Sequence, residues 1–597
     1  MSAEASPSTP PSVTKPLTTI YDLPVEILLH IFTFNTRHNF DHIHDPSRTT
    51  RHTSQVCKQW RYISLNCPAL WAQSIDFKDP LIWLKKVTTR CGTLPIDMII
   101  PSITNSLIKS CADKGSAENL HRTSPRPVDL VRRWDLPMSY DAKVLAPWFF
   151  HLPECRSVAL KIPAAVWKTF KLDKMDLSHL DSLTVVEAGP SLEPRFLRLW
   201  SPASFIAETP WNLRSLTLSG CITAFNPHAF RRLSELTVHN VPSFISLSPS
   251  SWLDVLSNIP SLKHLELINA TITMAYYEVD EPEVFSYHRT STSLPQLERL
   301  HLEAPLHHCS YIFDHLKFPS SCNITVAACA FSSINTPFHF LIAAIDQHFY
   351  CHSSKKASGS RSLLAAVTPS TCVINLTGPK NLREAQNSNG SLSFSVRWNN
   401  NSTHPALDVP IDPLDIFSAL TSAIGKPCAT VTNLNLVVAI TVDNNKKHHE
   451  VLDTFLSSFD RLETIEHISS STLQFLLPFF NFRTDPERIK TFGELLPSLR
   501  AVSFLDVNFA DYKTELGLLG ILLSFVRSRL PIITTATEHA DKSTSGSGTG
   551  RTPITDMRFR FCHAVGEKAV KNFERFGVSV LRDGMTFGYV SPTKEKK

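Results

Sequence analysis

Two spacings of apolar residues divide this chain. From Ile20 to about Phe77 the spacing is helical. Ile27, Leu28, Ile31 and Phe32 fall on one face of a 3.6-residue period, which predicts an amphipathic helix of about ten residues. Pro24 suits its first turn, where the missing N–H has no partner; Asp22 serves as a cap, and Glu26 lies near the positive end of the dipole. Asn35 to Thr53 is polar, dense in His, Arg and Asp, contains Pro46, and reads as a loop. Val56, Cys57 and Trp60 mark a second apolar stripe, continued by Ile63 and Leu65. Pro68 stops that helix, and Leu70 and Trp71 supply a last anchor. The expectation is a small all-α module of three helices over residues 19–78.

Beyond about residue 150 the spacing changes to short β-type runs. An L-x-x-L-x-L pattern recurs at Leu180/Leu183/Val185, Leu213/Leu216/Leu218, Leu233/Leu236/Val238, Leu262/Leu265/Leu267 and Leu297/Leu300/Leu302, with a weaker copy at Leu499/Val502/Phe504. Leucine-rich repeats recur every ~20–29 residues with one short strand each. Two of the spacings here are longer, which calls for inserts. The leucines of each strand would point into a core, and the residues between them would line the opposite face. Those outward positions are Ser215, Thr217, Glu235, Thr237, His239, His264, Glu266, Arg299, His301 and Glu303. Trp252 to Ser257 reads as a helical return. Asn433–Val438 and Pro497–Val502 are further strand candidates. The predicted fold class is therefore α/β: a three-helix module, linker helices or a cap over 79–150, and an irregular leucine-rich-repeat-like solenoid over 151–597.

Three short helices cannot bury Leu, Ile, Phe and two Trp among themselves, because a domain of under 60 residues has too little interior. The surplus apolar surface asks for a partner, either another protein or the rest of the chain. The runs LPVEILLHIF and SQVCKQWRYISLNCPALW resemble an F-box: L-P-x-E-I-L near the start, V-C-x-x-W-R in the middle and P-x-L-W at the end. The arrangement resembles that of fungal F-box proteins, with a longer polar insert at 35–53. The resemblance implies binding to the Skp-family adaptor and, through it, to cullin in a ubiquitin ligase. The residues it assigns to adaptor binding are Leu23, Pro24, Glu26, Ile27, Leu28, Ile31, Phe32, Val56, Cys57, Trp60, Pro68, Leu70 and Trp71. It also implies that the remaining chain holds a protein substrate. A scaffold that binds the adaptor without cullin is the alternative.

Composition narrows the classes. Charged residues make up 19% of the 597 residues, below the usual ~25%, which argues against a largely disordered chain. Only 18 glycines occur, so a glycine-dependent nucleotide fold is disfavoured. The formal net charge of +5 is too weak at this length to imply nucleic acid. The 13 cysteines are scattered without a C-x-x-C pair and read as free thiols of a reducing compartment. Residues 1–18 read as a disordered tail rather than a signal peptide, Ser353–Ser362 and Thr537–Thr552 as loops, and 593–597 as a solvated tail. The longest apolar run, Leu516–Val526, falls short of the ~20 residues of a membrane helix, so no membrane partner and a cytoplasmic or nuclear residence are expected. No H-E-x-x-H, phosphate loop, G-x-S-x-G or EF-hand loop occurs; Gly546–Gly550 lacks the lysine of a phosphate loop. His307-His308-Cys309 and His448-His449-Glu450 have ligand chemistry, but adjacent residues on a strand point to opposite faces and neither cluster has a second half at ligand spacing, so they read as surface histidines. No catalytic residue, cofactor or metal is expected.

Overall fold

The computed structural model describes residues 20–36, 46–72, 75–76, 81–92, 94, 96–100, 155–162, 178–187, 212–222, 225, 230–242, 245–271, 291–319, 321–330, 361–377, 391–398, 412–440, 446–480, 495–510, 517–530 and 552–582. The expected tails and nearly all of the two expected loops lie outside these residues, as does Gly546–Gly550. The chain divides into two units, Met1–Leu213 and Arg214–Lys597.

The first unit opens with a 3-10 turn, Ile20–Asp22, and then α1 (Val25–Thr36). The carbonyl of Pro24 accepts from the N–H groups of Ile27 and Leu28, so the proline sits where a helix needs no donor from it. α2 (Pro46–Thr53) falls inside the stretch expected to be a loop. Pro46 starts it, Arg51 and His52 complement the negative end of its dipole, and its buried side is Thr50 and Thr53 rather than leucine. That threonine face is why apolar periodicity did not reveal it. α3 (Lys58–Leu65) is capped by Cys57, whose Sγ accepts from Trp60 N–H at 3.4 Å, and α4 (Pro68–Ala72) follows. The module thus has four short helices rather than three. β1 (Ile75–Asp76), α5 (Leu81–Cys91) and β2 (Ile96–Ile100) come next, so part of the expected linker is strand. β1 pairs in parallel with β2, β2 with β3 (Cys155–Ile162), and β3 with β4 (Ser182–Glu187).

The second unit begins with β5 (Ser215–Ser219), β6 (Glu235–His239), α6 (Pro249–Ser257) and β7 (His264–Ile268). β8 (Thr292–Ser293), β9 (Arg299–Pro305), α7 (Leu306–His315), β10 (Leu316–Lys317) and β11 (Asn323–Ala330) follow. β5, β6, β7, β9 and β11 form a parallel ladder in register, with Ser215, Glu235, His264, Arg299 and Asn323 level across it. β8 and β10 pair separately. Three neighbouring strands, β12 (Arg361–Val367), β13 (Thr371–Thr377) and β14 (Leu392–Trp398), then form an antiparallel meander. β14 joins it to β11 and β12 joins it to β15 (Val431–Val438), both in parallel. The meander interrupts the one-strand-per-unit pattern that the leucine spacing predicts. α8 (Pro413–Cys428) precedes β15. Then α9 (Lys446–Ser457), β16 (Thr464–Ile468), α10 (Ser470–Phe480), β17 (Ala501–Leu505), α11 (Gly517–Ser528), β18 (Asp556–Arg560), α12 (Glu567–Glu574) and β19 (Ser579–Arg582) complete the unit. The strands from β15 to β19 are parallel. No described helix is long and apolar enough to cross a membrane.

Side-chain alternation explains the layers. All six L-x-x-L-x-L triads are buried, and so are two that use other apolar residues, Val431/Leu434/Leu436 and Ile554/Met557/Phe559. Helices cover this face: Trp252 of α6 is fully buried and its indole N–H donates to Ala270 O at 3.0 Å. Four strands, β5, β6, β7 and β17, turn at their far end through one residue of positive φ: Gly220, Asn240, Asn269 and Asp506. Glycine and Asn/Asp tolerate that region best. Each of their N–H groups donates to a carbonyl of the neighbouring strand: His239, Ile268, Glu303 and Arg560 respectively.

The two histidine clusters sit on helices, not on strands, and their key rings are interior. His308 of α7 is buried with Nδ1 3.0 Å from Thr271 Oγ1, and His448 of α9 is buried with Nε2 3.0 Å from Phe475 O. Burial, helped by the neighbouring His307, pushes the His308 ring down from 6.5 to about 3. Between those values the unfolded chain binds the proton and the folded chain does not. The stability held by the neutral ring is therefore complete above about pH 6.5 and drains as pH falls toward 3, at up to ~1.4 kcal/mol per pH unit. Calorimetry should show the second unit's melting temperature falling below about pH 6.5, and falling less steeply in His308→Gln. Equal slopes in both chains would refute a neutral buried ring.

Candidate functional site

The helical module of the first unit closes a small core of its own. Leu28, Phe32, Ile63 and Leu70 form it, with Leu23, Leu29, Ile31, Trp60 and Cys67 packed partly buried against it. Trp60 lies 4.7 Å from Phe32, ring to ring, and its indole N–H is buried without an acceptor. Trp71 is sealed from solvent, donates to Ser64 O at 2.7 Å and meets Trp83 of α5 edge-on at 6.0 Å. Arg90 lies over Trp71 at 4.5 Å, so α5 is fastened to the end of the module.

The expected adaptor-binding residues consequently part into two groups. Leu28, Phe32, Leu70 and Trp71 point inward and are 0–1% exposed, so they offer no surface to a partner as the chain stands. They hold the helices in place. Pro24, Glu26, Ile27, Val56 and Pro68 are exposed, and Leu23, Ile31, Cys57 and Trp60 are partly exposed. Five large hydrophobic residues absent from the expected set join the outer group: Ile20, Val25, Phe34 at 68% exposed, Tyr62 at 72%, and Leu65. Ile27 and Phe34 are seven residues apart on α1, and Tyr62 and Leu65 three apart on α3, so each pair shares a helix face. The signal was available for Tyr62, which lies off the stripe of Val56, Cys57, Trp60 and Ile63, but not for Phe34, which continues the stripe of Ile27 and Ile31 at helical spacing. A small module with a satisfied core and several large exposed apolar side chains has the surface of a protein-binding element.

The outward strand face of the second unit carries the other expected residues. The register sets Ser215, Glu235, His264 and Arg299 in one row, Thr217, Thr237, Glu266 and His301 in the next, and His239 and Glu303 in a third with Ser219 and Ile268. Polar side chains meet across the strands. Ser215 Oγ donates to Glu235 Oε2 at 3.1 Å. His264 Nδ1 lies 3.3 Å from Glu235 Oε1, and its Nε2 lies 3.6 Å from Glu298 Oε2. Glu266 Oε1 is shared by His301 Nδ1 at 3.0 Å and His239 Nε2 at 3.4 Å. A hydrogen bond from Lys263, with its charge, holds the Glu298 carboxyl below its usual range. The ten outward residues thus do share one face, as the alternation predicts. Among the described residues no group of three His, Cys, Asp or Glu could hold a metal ion.

A family model described as F-box-like matches residues 20–75, the helical module. No curated protein matches the chain. The module is an F-box-like domain; such domains are protein-interaction elements that generally bind Skp-family adaptors and are typically adaptor modules rather than catalysts.

Proposed function

We propose that the chain is the substrate-recognition subunit of a Skp–cullin–F-box ubiquitin ligase. The F-box-like domain grips the adaptor, and the adaptor brings cullin. The observation that carries this reading is the outer apolar set of that domain, Ile27, Phe34, Val56, Tyr62 and Leu65, standing over a core already complete without it. The second unit reads as an irregular leucine-rich-repeat-like receptor for a target protein. The buried L-x-x-L-x-L triads, the parallel strands in register and the turn repeated after β5, β6, β7 and β17 support that reading. No residue of the chain takes part in bond chemistry. Its contribution is proximity: a held substrate presents its lysines to the charged conjugating enzyme at high effective concentration. On this reading the chain works in the cytoplasm or nucleus, without a cofactor.

The test is capture of the tagged full-length chain from extract of its own cells, with mass spectrometry of what is retained. Adaptor together with cullin is the expected result. Adaptor without cullin would favour a scaffold that gathers partners without ubiquitin transfer. Absence of both would overturn the ligase reading.

A further inference from the structure

The outward face of β6, β7 and β9 has an unusual charge inventory. Its carboxylates are Glu235, Glu266 and Glu303, one per strand, and its permanent cation is Arg299. Every other ionisable group on it is a histidine: His239, His264 and His301. In the turns at its edge, Lys263 and Glu298 pair with each other at 3.1 Å. The flanking strands add hydroxyls and an amide but no charge: Ser215 and Thr217 on β5, Asn323 and Thr325 on β11. With neutral imidazoles the face is net negative. With three protonated imidazoles its sign reverses, because three added positive charges exceed the deficit.

One ring is placed between the two states. Arg299 Nη2 donates to His264 Nδ1 at 2.9 Å, which requires that nitrogen to be unprotonated. Glu235 Oε1 approaches the same nitrogen at 3.3 Å and gains a hydrogen bond only when it carries a proton. Neutral His264 therefore holds Arg299 down along the strand face and leaves Glu235 without its imidazole donor. Protonated His264 turns to Glu235 and repels Arg299. Glu266 behaves in the same direction, since its Oε1 faces two imidazole nitrogens at once. Glu303 has no ion pair among the described residues.

We propose that this face takes a basic, extended segment of the substrate when its histidines are neutral, and releases it on acidification. This deepens the receptor reading and rests on it for the identity of the face. The carboxylates of three successive strands lie on a diagonal, each one strand (~4.8 Å) and two residues (~6.6 Å) from the next and so roughly 8 Å apart, a spacing that alternate lysine and arginine side chains of an extended crossing chain can follow. The excess of negative charge disfavours an acidic or phosphorylated segment.

The test uses the full-length chain with its adaptor and two fluorescent peptides, one alternating lysine and serine, the other alternating glutamate and serine. The chain's own net charge is +5, so non-specific attraction would favour the glutamate peptide. The expected result is binding of the lysine peptide at about pH 7.5 that weakens about tenfold or more at about pH 5.5. Glu266→Gln with Glu303→Gln removes the binding at the higher pH. The triple variant His239→Gln, His264→Gln and His301→Gln keeps it at both. Preference for the glutamate peptide, no binding of either, or an unchanged pH response in the triple histidine variant would overturn the proposal. Co-purification of the adaptor in the same samples separates the two readings: adaptor bound with no lysine-peptide binding sinks this inference alone, and lysine-peptide binding without adaptor sinks the ligase reading alone.

Discussion

A chain carrying Ile27→Ala and Phe34→Ala is expected to bind the Skp-family adaptor about 100-fold or more weakly than the wild type, with an unchanged melting temperature. Both side chains are large, apolar and about half exposed or more, and both project from the outer side of α1. Truncating a buried anchor at an interface commonly costs about 2 kcal/mol, and 1.4 kcal/mol is a factor of ten. Two such losses therefore exceed two orders of magnitude even if they are only partly additive. Alanine is the best helix former, so α1 itself is not weakened. The core beneath, Leu28 and Phe32 among it, is untouched. Titration calorimetry or surface plasmon resonance with purified adaptor reads the affinity, and a thermal melt reads the fold. Adaptor affinity within threefold of wild type would move the interface away from this face. Leu23→Ala with Pro24→Ala serves as a companion, but Leu23 also packs on the core, so its effect mixes contact with support.

The distinction between contact and support is what the sequence could not convey. The F-box-like run is legible as a motif because three submotifs occur in order. The motif does not say which of its residues face in. Leu28 and Ile27 are adjacent and chemically alike, yet one is sealed and the other exposed, and only the packing of α1 against α3 and α4 decides between them. α2 was illegible for a different reason: its buried side is threonine, and a proline followed by seven polar residues gives no apolar period. Which side chains of each second-unit strand face outward was readable from Leu-x-Leu alternation, because a period of two fixes which side chains share a face; the pairing of one strand with the next came from the structure. The meander of β12–β14 was not, since a strand's alternation is silent about the direction of its neighbour. The histidine clusters were misplaced because adjacent residues were assigned to a strand, whereas α7 and α9 turn His308 and His448 into the interior.

Trp71→Ala is expected to produce the opposite phenotype from the α1 double variant, although Trp71 belongs to the same motif. Its ring is 1% exposed, its indole N–H donates to Ser64 O at 2.7 Å, and it is held between Trp83 and Arg90. Truncation of a buried tryptophan costs ~3–5 kcal/mol, and the loss of its hydrogen bond adds to that. A helical module of this size holds only a few kcal/mol in total, so the variant leaves the first-unit helices substantially unfolded. Hydrogen exchange over α1, α3 and α4 should rise toward the unfolded rate, while the strands of the second unit keep their protection. Trp71→Phe, which keeps most of the packing and loses the N–H, should fall between the two. Adaptor binding fails in Trp71→Ala as well, but through folding. The signature is that added adaptor partly restores exchange protection in this variant, because binding the folded form draws the equilibrium toward it. In the Ile27/Phe34 variant protection is normal from the start and adaptor adds little. If Trp71→Ala instead kept full protection while losing the adaptor, Trp71 would be a contact, and the inward group assigned to the core would have to include a partner-facing state.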